Sequence, residues 1–186
     1  MNDVQTISTG FTPRPLQATI YNELKRFNVL VLHRRFGKTV LSICEMIDRA
    51  FRNTKKNPQY AYIAPTYGQA KRVAWEYLKD FTRNIPGAAA NEADLRIDIQ
   101  RPASEDKIRL MLMGAENPGG IRGIYLDGVV LDEFAEMDPT AWSQVIRPAL
   151  SDRLGWAIFI GTPKGQNHFW DIYNQAKQNP DWYVRI

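Results

Sequence analysis

The sequence predicts an α/β fold with a mainly parallel central sheet flanked by helices. Two observations carry this. Short apolar, β-branched runs alternate along the 186 residues with segments of helical periodicity. Several of those runs also end in polar or glycine-containing turns, as strands do when their carboxyl ends line a ligand crevice. The composition, 44% hydrophobic and 24% charged, is that of an ordinary globular protein. One domain over 1–186 is expected, long enough to bury a core without staples.

Residues 1–13, with Ser, Thr, Gly and Pro, read as a flexible lead-in. Leu16, Ile20 and Leu24 recur at helical spacing and predict a helix over 15–27. NVLVL (28–32) is a buried strand, HRRFGKT (33–39) a loop, and 40–51 a helix. A polar turn at 55–59 leads to a strand over 60–65 and a helix over 68–81. In that helix Trp75, Tyr77 and Phe81 are assigned to the core. Residues 85–94 read as irregular. LRIDIQ (95–100) and KIRLMLMG (107–114) form a hairpin through RPASED. PGGIRG (118–123) is a glycine-rich loop, and DGVVLDEF (127–134) a strand ending in two acids. WAIFIGTP (156–163) is another buried strand, 167–177 a helix, and 181–186 the beginning of a strand. No repeat or low-complexity segment interrupts this order.

Several function classes drop out. The single cysteine, Cys44, allows no intrachain disulfide and suits a reducing compartment. It lies in an apolar helical pattern and reads as a buried structural thiol. No apolar run reaches the length of a membrane span, about 18 residues, and the N-terminus is not a signal peptide. His33 and His168 show no ligand spacing, so neither is assigned to a metal. The net charge of +4 fits contact with nucleic-acid phosphates without requiring it.

The tripeptide Gly37-Lys38-Thr39, after a strand and before a helix, is the end of a phosphate-binding P-loop. Backbone N–H groups there wrap phosphate oxygens, Lys38 reaches the β- and γ-phosphates, and the Thr39 hydroxyl ligates magnesium. The glycine that usually opens the loop is replaced by Leu32, while Arg34 and Arg35 add guanidiniums suited to an anion. Asp132-Glu133, after an apolar strand, is a Walker B pattern. Asp132 would hold the metal through water, and Glu133 would orient or deprotonate the attacking water. Thr162, in the turn that ends WAIFIGTP, could sense a γ-phosphate, though taken alone Gly161-Thr162-Pro163 reads better as a simple turn. Gln17 in FTPRPLQ carries one donor and one acceptor, enough to pair with an adenine edge. Arg122 lies in a glycine loop and reads as exposed; a swinging arginine there could stabilise transition-state charge.

Together FTPRPLQ, HRRFGKT, YIAPTYGQA, GGIRG, VVLDEF and FIGTP, in that order over about 11–163, resemble the ATPase domain of the large terminase subunit of tailed bacteriophages. That resemblance implies a P-loop NTPase of the additional-strand catalytic-glutamate type, using ATP and magnesium. It implies an adenine-reading Gln17 and a nucleotide loop of Arg34, Arg35, Phe36, Gly37, Lys38 and Thr39. It implies Asp132 with Thr39 on the metal, Glu133 and Lys38 as catalytic groups, and Gly161, Thr162 and Pro163 as a coupling motif. It also implies that Arg122 acts in trans on a neighbouring subunit of a ring, a pentamer assembled on the portal protein. The implied partners are double-stranded DNA, the portal, the small terminase subunit and further copies of the chain, with no membrane. The implied setting is the host cytoplasm and, transiently, the procapsid. The family's P-loop departs at its first glycine, as this one does. Its members usually continue into an RNase H-like nuclease domain, for which residues 1–186 leave no room, so no nuclease activity is expected of this chain. The alternatives are a helicase-like DNA-dependent ATPase, which needs a second RecA-like domain, and a nucleotide-binding assembly module that barely hydrolyses. Glu133 argues against the module.

Overall fold

A computed structural model describes residues 9–102 and 104–186; the first eight residues of the expected lead-in lie outside it. Helix α1 (Pro15–Glu23) begins with proline at its first position, where the missing N–H costs nothing. It stops four residues before the predicted end, because Phe27 opens strand β1 (Phe27–Val31) and pairs with Ala157 and Trp182. Helix α2 (Lys38–Arg52) follows the phosphate loop, with Arg49 and Arg52 in its last turn complementing the helix dipole. Strand β2 (Gln59–Ala64) leads into a continuous helical run. The run is α3 (Tyr67–Ala70), a π-helical stretch (Lys71–Trp75) and α4 (Glu76–Thr82).

Ala70, Ala74, Leu78 and Thr82 face the sheet at intervals of four, with Trp75 beside them. That stripe leaves Val73 and Tyr77 on the outer face, 40% and 45% exposed, so Tyr77 is not the core residue predicted. It stacks instead on Phe81, ring centroids 6.1 Å apart.

Residues predicted irregular contain strand β3 (Ala88–Asn91), which pairs antiparallel with β4 (Arg96–Gln100) at the sheet edge. Strand β5 (Lys107–Gly114) completes the predicted hairpin. The glycine-rich segment winds into a single turn, α5 (Pro118–Ile121), capped by the Asn117 side chain. Strand β6 (Gly128–Leu131) precedes a π-helical stretch (Ala141–Ile146) that continues as α6 (Arg147–Ser151). Strand β7 (Trp156–Gly161), helix α7 (His168–Lys177) and edge strand β8 (Trp182–Arg185) end the fold.

The eight strands form one sheet in the order β3-β4-β5-β2-β6-β7-β1-β8. From β5 to β8 every pairing is parallel, and only the β3-β4-β5 edge is antiparallel. Strand β7 lies between β1, which carries the phosphate loop, and β6, which carries the paired acids. This is the inserted strand that the additional-strand arrangement requires. Side chains alternate strictly across the sheet. Leu30, Tyr60, Tyr62, Val130, Ile158 and Ile160 pack against the face covered by α2. Val29, Ala61, Ile63, Val129 and Phe159 pack against the face covered by α7 and the Ala141–Ile146 stretch. Cys44 is buried on α2, and burial pushes its thiol up to about 12, the behaviour of a structural thiol.

Candidate active site

The carboxyl ends of β1, β6 and β7 converge, and the segments leaving them carry the residues singled out in the sequence except Gln17, on α1, and Arg122, after α5. Leu32 explains its own tolerance. It prolongs the strand, buried, its N–H donating to the Gly161 carbonyl of β7 at 3.0 Å. The loop turns further on, where Arg35 (φ 65) and Gly37 (φ 86) adopt positive φ. A glycine is therefore needed at 37 and not at 32. A Cβ on Gly37 would also approach Gln17 Nε2 to 2.9 Å.

His33, Arg34 and Arg35 are exposed along the loop, while Phe36 is buried. The Arg14 guanidinium lies over the Phe36 ring, 5.7 Å from its centroid, and donates to the Phe36 carbonyl. Gln17 donates from Nε2 to that same carbonyl at 3.0 Å and accepts the Arg14 N–H at 3.0 Å. Gln17 thus braces the loop from behind, with one amide hydrogen uncommitted among the described residues.

Lys38 is buried, its ammonium donating to the Leu32 carbonyl at 3.0 Å and lying 3.9 Å from Glu133 Oε1. The ammonium therefore spans from the start of its own loop to the acid on β6. Asp132 follows β6 directly, its N–H bonded to the Ile63 carbonyl at 2.8 Å. Its carboxylate accepts from the Glu133 N–H on Oδ1 (2.9 Å) and from the Tyr62 hydroxyl on Oδ2 (2.5 Å). Burial holds the Asp132 carboxyl above its ordinary range; the Tyr62 hydroxyl pulls it back, the Glu133 charge raises it and the Lys38 ammonium lowers it. Burial, above all, and then the Asp132 charge keep Tyr62 protonated far above the ordinary phenol range.

Glu133 sits in the left-handed region (φ 47, ψ 48), which costs a non-glycine residue roughly 1–2 kcal/mol. Its surroundings hold it there. The Glu133 carbonyl accepts the Glu136 N–H at 2.8 Å, and Phe134 is locked edge-on against Phe159 at 4.9 Å. Three contacts tie this turn to the segment after β7. Thr162 Oγ1 donates to Glu133 Oε2 at 3.4 Å, Lys164 pairs with Glu136, and His168 Nε2 lies 2.7 Å from the Phe134 carbonyl. Nε2 is therefore the nitrogen bearing hydrogen. The His168 and Lys164 contacts were not anticipated from sequence, nor was Tyr62. Gly161 is fixed by close approach, since a Cβ there would meet the Phe169 ring at 2.9 Å; Pro163 is exposed in the following loop.

Arg122 stands apart from this cluster. It is exposed at the end of α5, lining a surface groove with Gln144, Val145, Pro148 and Asp152. Among the described residues no three His, Cys, Asp or Glu side chains converge as a metal cage. The same residues contain no helix long and apolar enough to cross a membrane.

The family model for the terminase large subunit, T4likevirus-type, N-terminal, matches residues 30–186. The chain belongs to that family. The terminase large subunit of Thermus virus P23-45 is 30% identical over 178 residues, covering 88% of this chain and 36% of the relative. The chain thus spans about a third of the length of the curated relatives it matches. The solved structure of the Thermus phage P74-26 large terminase ATPase domain superposes with a TM-score of 0.81 at 26% identity, covering 95% of this chain and 81% of that one. The large terminase of a thermophilic bacteriophage, solved in complex with ATP-γ-S, gives 0.72 at 19% identity, covering 91% and 42%. The terminase family and the P-loop α/β fold inferred from the motifs are thereby established.

Proposed function

We propose that this domain hydrolyses ATP to drive double-stranded DNA into a procapsid. One observation carries the reading: the fold brings Lys38, Thr39, Asp132, Glu133 and Thr162 together at the carboxyl ends of three neighbouring strands. The P74-26 relative is named an ATPase domain, and the thermophilic phage terminase was solved with an ATP analogue bound. Residues 34–37 and the first turn of α2 would offer N–H groups to the phosphates, with Arg34 and Arg35 as cations at the rim. Lys38 would exchange the Leu32 carbonyl for phosphate oxygens. Gln17 would use its remaining amide hydrogen toward the adenine.

Thr39 and Asp132 would hold magnesium. Both offer oxygen, which suits a hard cation, and magnesium in such sites relies on one or two carboxylates plus phosphates, not on a protein cage. Bound magnesium would neutralise charge building on the β- and γ-phosphate oxygens. Glu133, fixed by its strained backbone and by the Lys38 and Thr162 contacts, would orient and deprotonate the attacking water. Gly161, Thr162 and Pro163 would pass the state of the γ-phosphate from Glu133 to α7.

Arg122, exposed and away from its own site, would complete a neighbour's site in a ring, a pentamer on the portal. The small terminase subunit and DNA would be further partners, in the host cytoplasm and on the procapsid. Nuclease activity is not assigned to this domain. The reading is tested by ATP binding and turnover in two variants. Glu133→Gln should bind ATP as the parent does and not turn it over, while Lys38→Ala should bind it weakly. Turnover retained in Glu133→Gln would overturn the catalytic assignment.

A further inference from the structure

We propose that Tyr62 is a positioning residue for the metal-nucleotide site, its buried hydroxyl holding the Asp132 carboxylate in one fixed orientation. The proposal rests on the reading that Thr39 and Asp132 hold magnesium. Tyr62 is fully buried on the sheet face beneath α2 and projects between the start of that helix and the end of β6. Its hydroxyl donates to Asp132 Oδ2 at 2.5 Å.

A phenol has one proton, and here it is spent on the carboxylate. That bond, with the one from the Glu133 N–H, fixes the Asp132 carboxylate. One oxygen takes the Tyr62 proton and the other the Glu133 N–H, so each keeps a lone pair for a metal-bound water. The Tyr62 hydroxyl thus sets the Asp132 carboxylate before nucleotide arrives, as an outer partner orients a metal ligand.

Burial alone would give Tyr62 a partner without any functional meaning. Tyr60 supplies the comparison. It lies on the same strand and face, equally buried, and its hydroxyl accepts from Asn53 Nδ2 at 2.7 Å, away from the site. A structural role predicts similar consequences for losing either hydroxyl; a positioning role does not.

The experiment measures the affinity of a fluorescent ATP analogue with magnesium and with EDTA, for the parent chain, Tyr62→Phe, Tyr60→Phe and Thr39→Ala. The quantity read is the ratio of the two affinities. Tyr62→Phe keeps the ring and its packing, and a melting curve checks its fold. Loss of an outer partner of a metal ligand lowers metal affinity about 10- to 100-fold. Tyr62→Phe should therefore lower the ratio about tenfold, with the EDTA affinity unchanged, and Tyr60→Phe should leave the ratio at the parent value. A parent ratio near one, or Thr39→Ala keeping the full ratio, would overturn the underlying metal assignment. Thr39→Ala losing the ratio while Tyr62→Phe keeps it would overturn the Tyr62 proposal alone. An equal loss with and without magnesium, or the same loss in Tyr60→Phe, would reduce Tyr62 to a structural role and also overturn it.

Discussion

Asp127 should be a main support of the fold, at the end of the sheet away from the candidate site. Its side chain is 1% exposed at the start of β6. Arg153 donates to it from Nε at 3.1 Å and from Nη2 at 3.3 Å. Asn53 adds a donor at 3.1 Å and the Gln59 N–H another at 3.0 Å, with the Lys55 ammonium 3.9 Å away. The carboxylate thereby ties together the end of α2, the start of β2 and the turn before β7. Asp127→Ala removes the carboxylate from a half-buried arginine, which keeps the Lys56 carbonyl, and takes away the acceptor of the Gln59 N–H. Breaking a buried pair from one side costs about 3–5 kcal/mol. Arg153 is 24% exposed and can recover some hydration, which places the cost at about 3 kcal/mol. For a chain of this size each kcal/mol moves the melting temperature by about 2–4 °C, so a fall of about 6–12 °C is expected. Thermal unfolding of the purified domain measures it. Nucleotide affinity of the folded variant should match the parent, because the Asp127 cluster sits at the amino ends of the strands. A fall below about 2 °C, or a loss of nucleotide affinity in protein still folded, would refute the reasoning.

Three further outcomes follow from the geometry. Gly37→Ala places a methyl group at positive φ and 2.9 Å from Gln17 Nε2, so nucleotide affinity should fall at least about tenfold in a binding titration. His168→Phe keeps the ring against Phe134 and loses the bond to its carbonyl; kcat should drop about tenfold with the KM for ATP nearly unchanged, and the melting temperature should fall by the worth of one hydrogen bond, about 1 kcal/mol. Burial raises the Glu45 carboxyl above its ordinary value, with Arg49 pulling it back. A raised folded-state value makes the ionised group unfavourable at neutral pH, and that penalty vanishes below the ordinary glutamate value of 4.5. Glu45→Gln should therefore melt above the parent near neutral pH, with the gap closing as pH falls toward about 4; a gap that widens on acidification would contradict this.

The motifs are legible because each demands a backbone position that few sequences satisfy by chance. Gly37-Lys38-Thr39 between strand and helix, and Asp132-Glu133 at a strand end, mark the proposed phosphate side of the site. The strand order brings them together. Leu32 is harder to read, since the positive φ that a glycine usually supplies has moved to Arg35 and Gly37, which depends on three-dimensional turn geometry. Strand β3 is hidden in the sequence because Ala88–Asn91 has little β propensity and gains its pairing from β4. The sequence predicts no element over 135–155, which contains Pro148. The structure places it in the first turn of α6, after the π-helical stretch. Tyr77 is misplaced by the sequence because its spacing from Trp75 and Phe81 does not tell which helix face meets the sheet. Tyr62 is invisible there as a site residue. In YAYIAP an aromatic at alternate spacing looks like any core side chain, and its meaning comes from Asp132, 70 positions later.

The central assignment, a catalytic Glu133 completed by a neighbour's Arg122, is tested most directly by steady-state ATP hydrolysis across protein concentration, with Glu133→Gln alongside. The rate per chain should climb as the chains associate and vanish in Glu133→Gln at every concentration. Turnover that survives in Glu133→Gln, or a rate per chain that stays flat while the chains demonstrably associate, would contradict it.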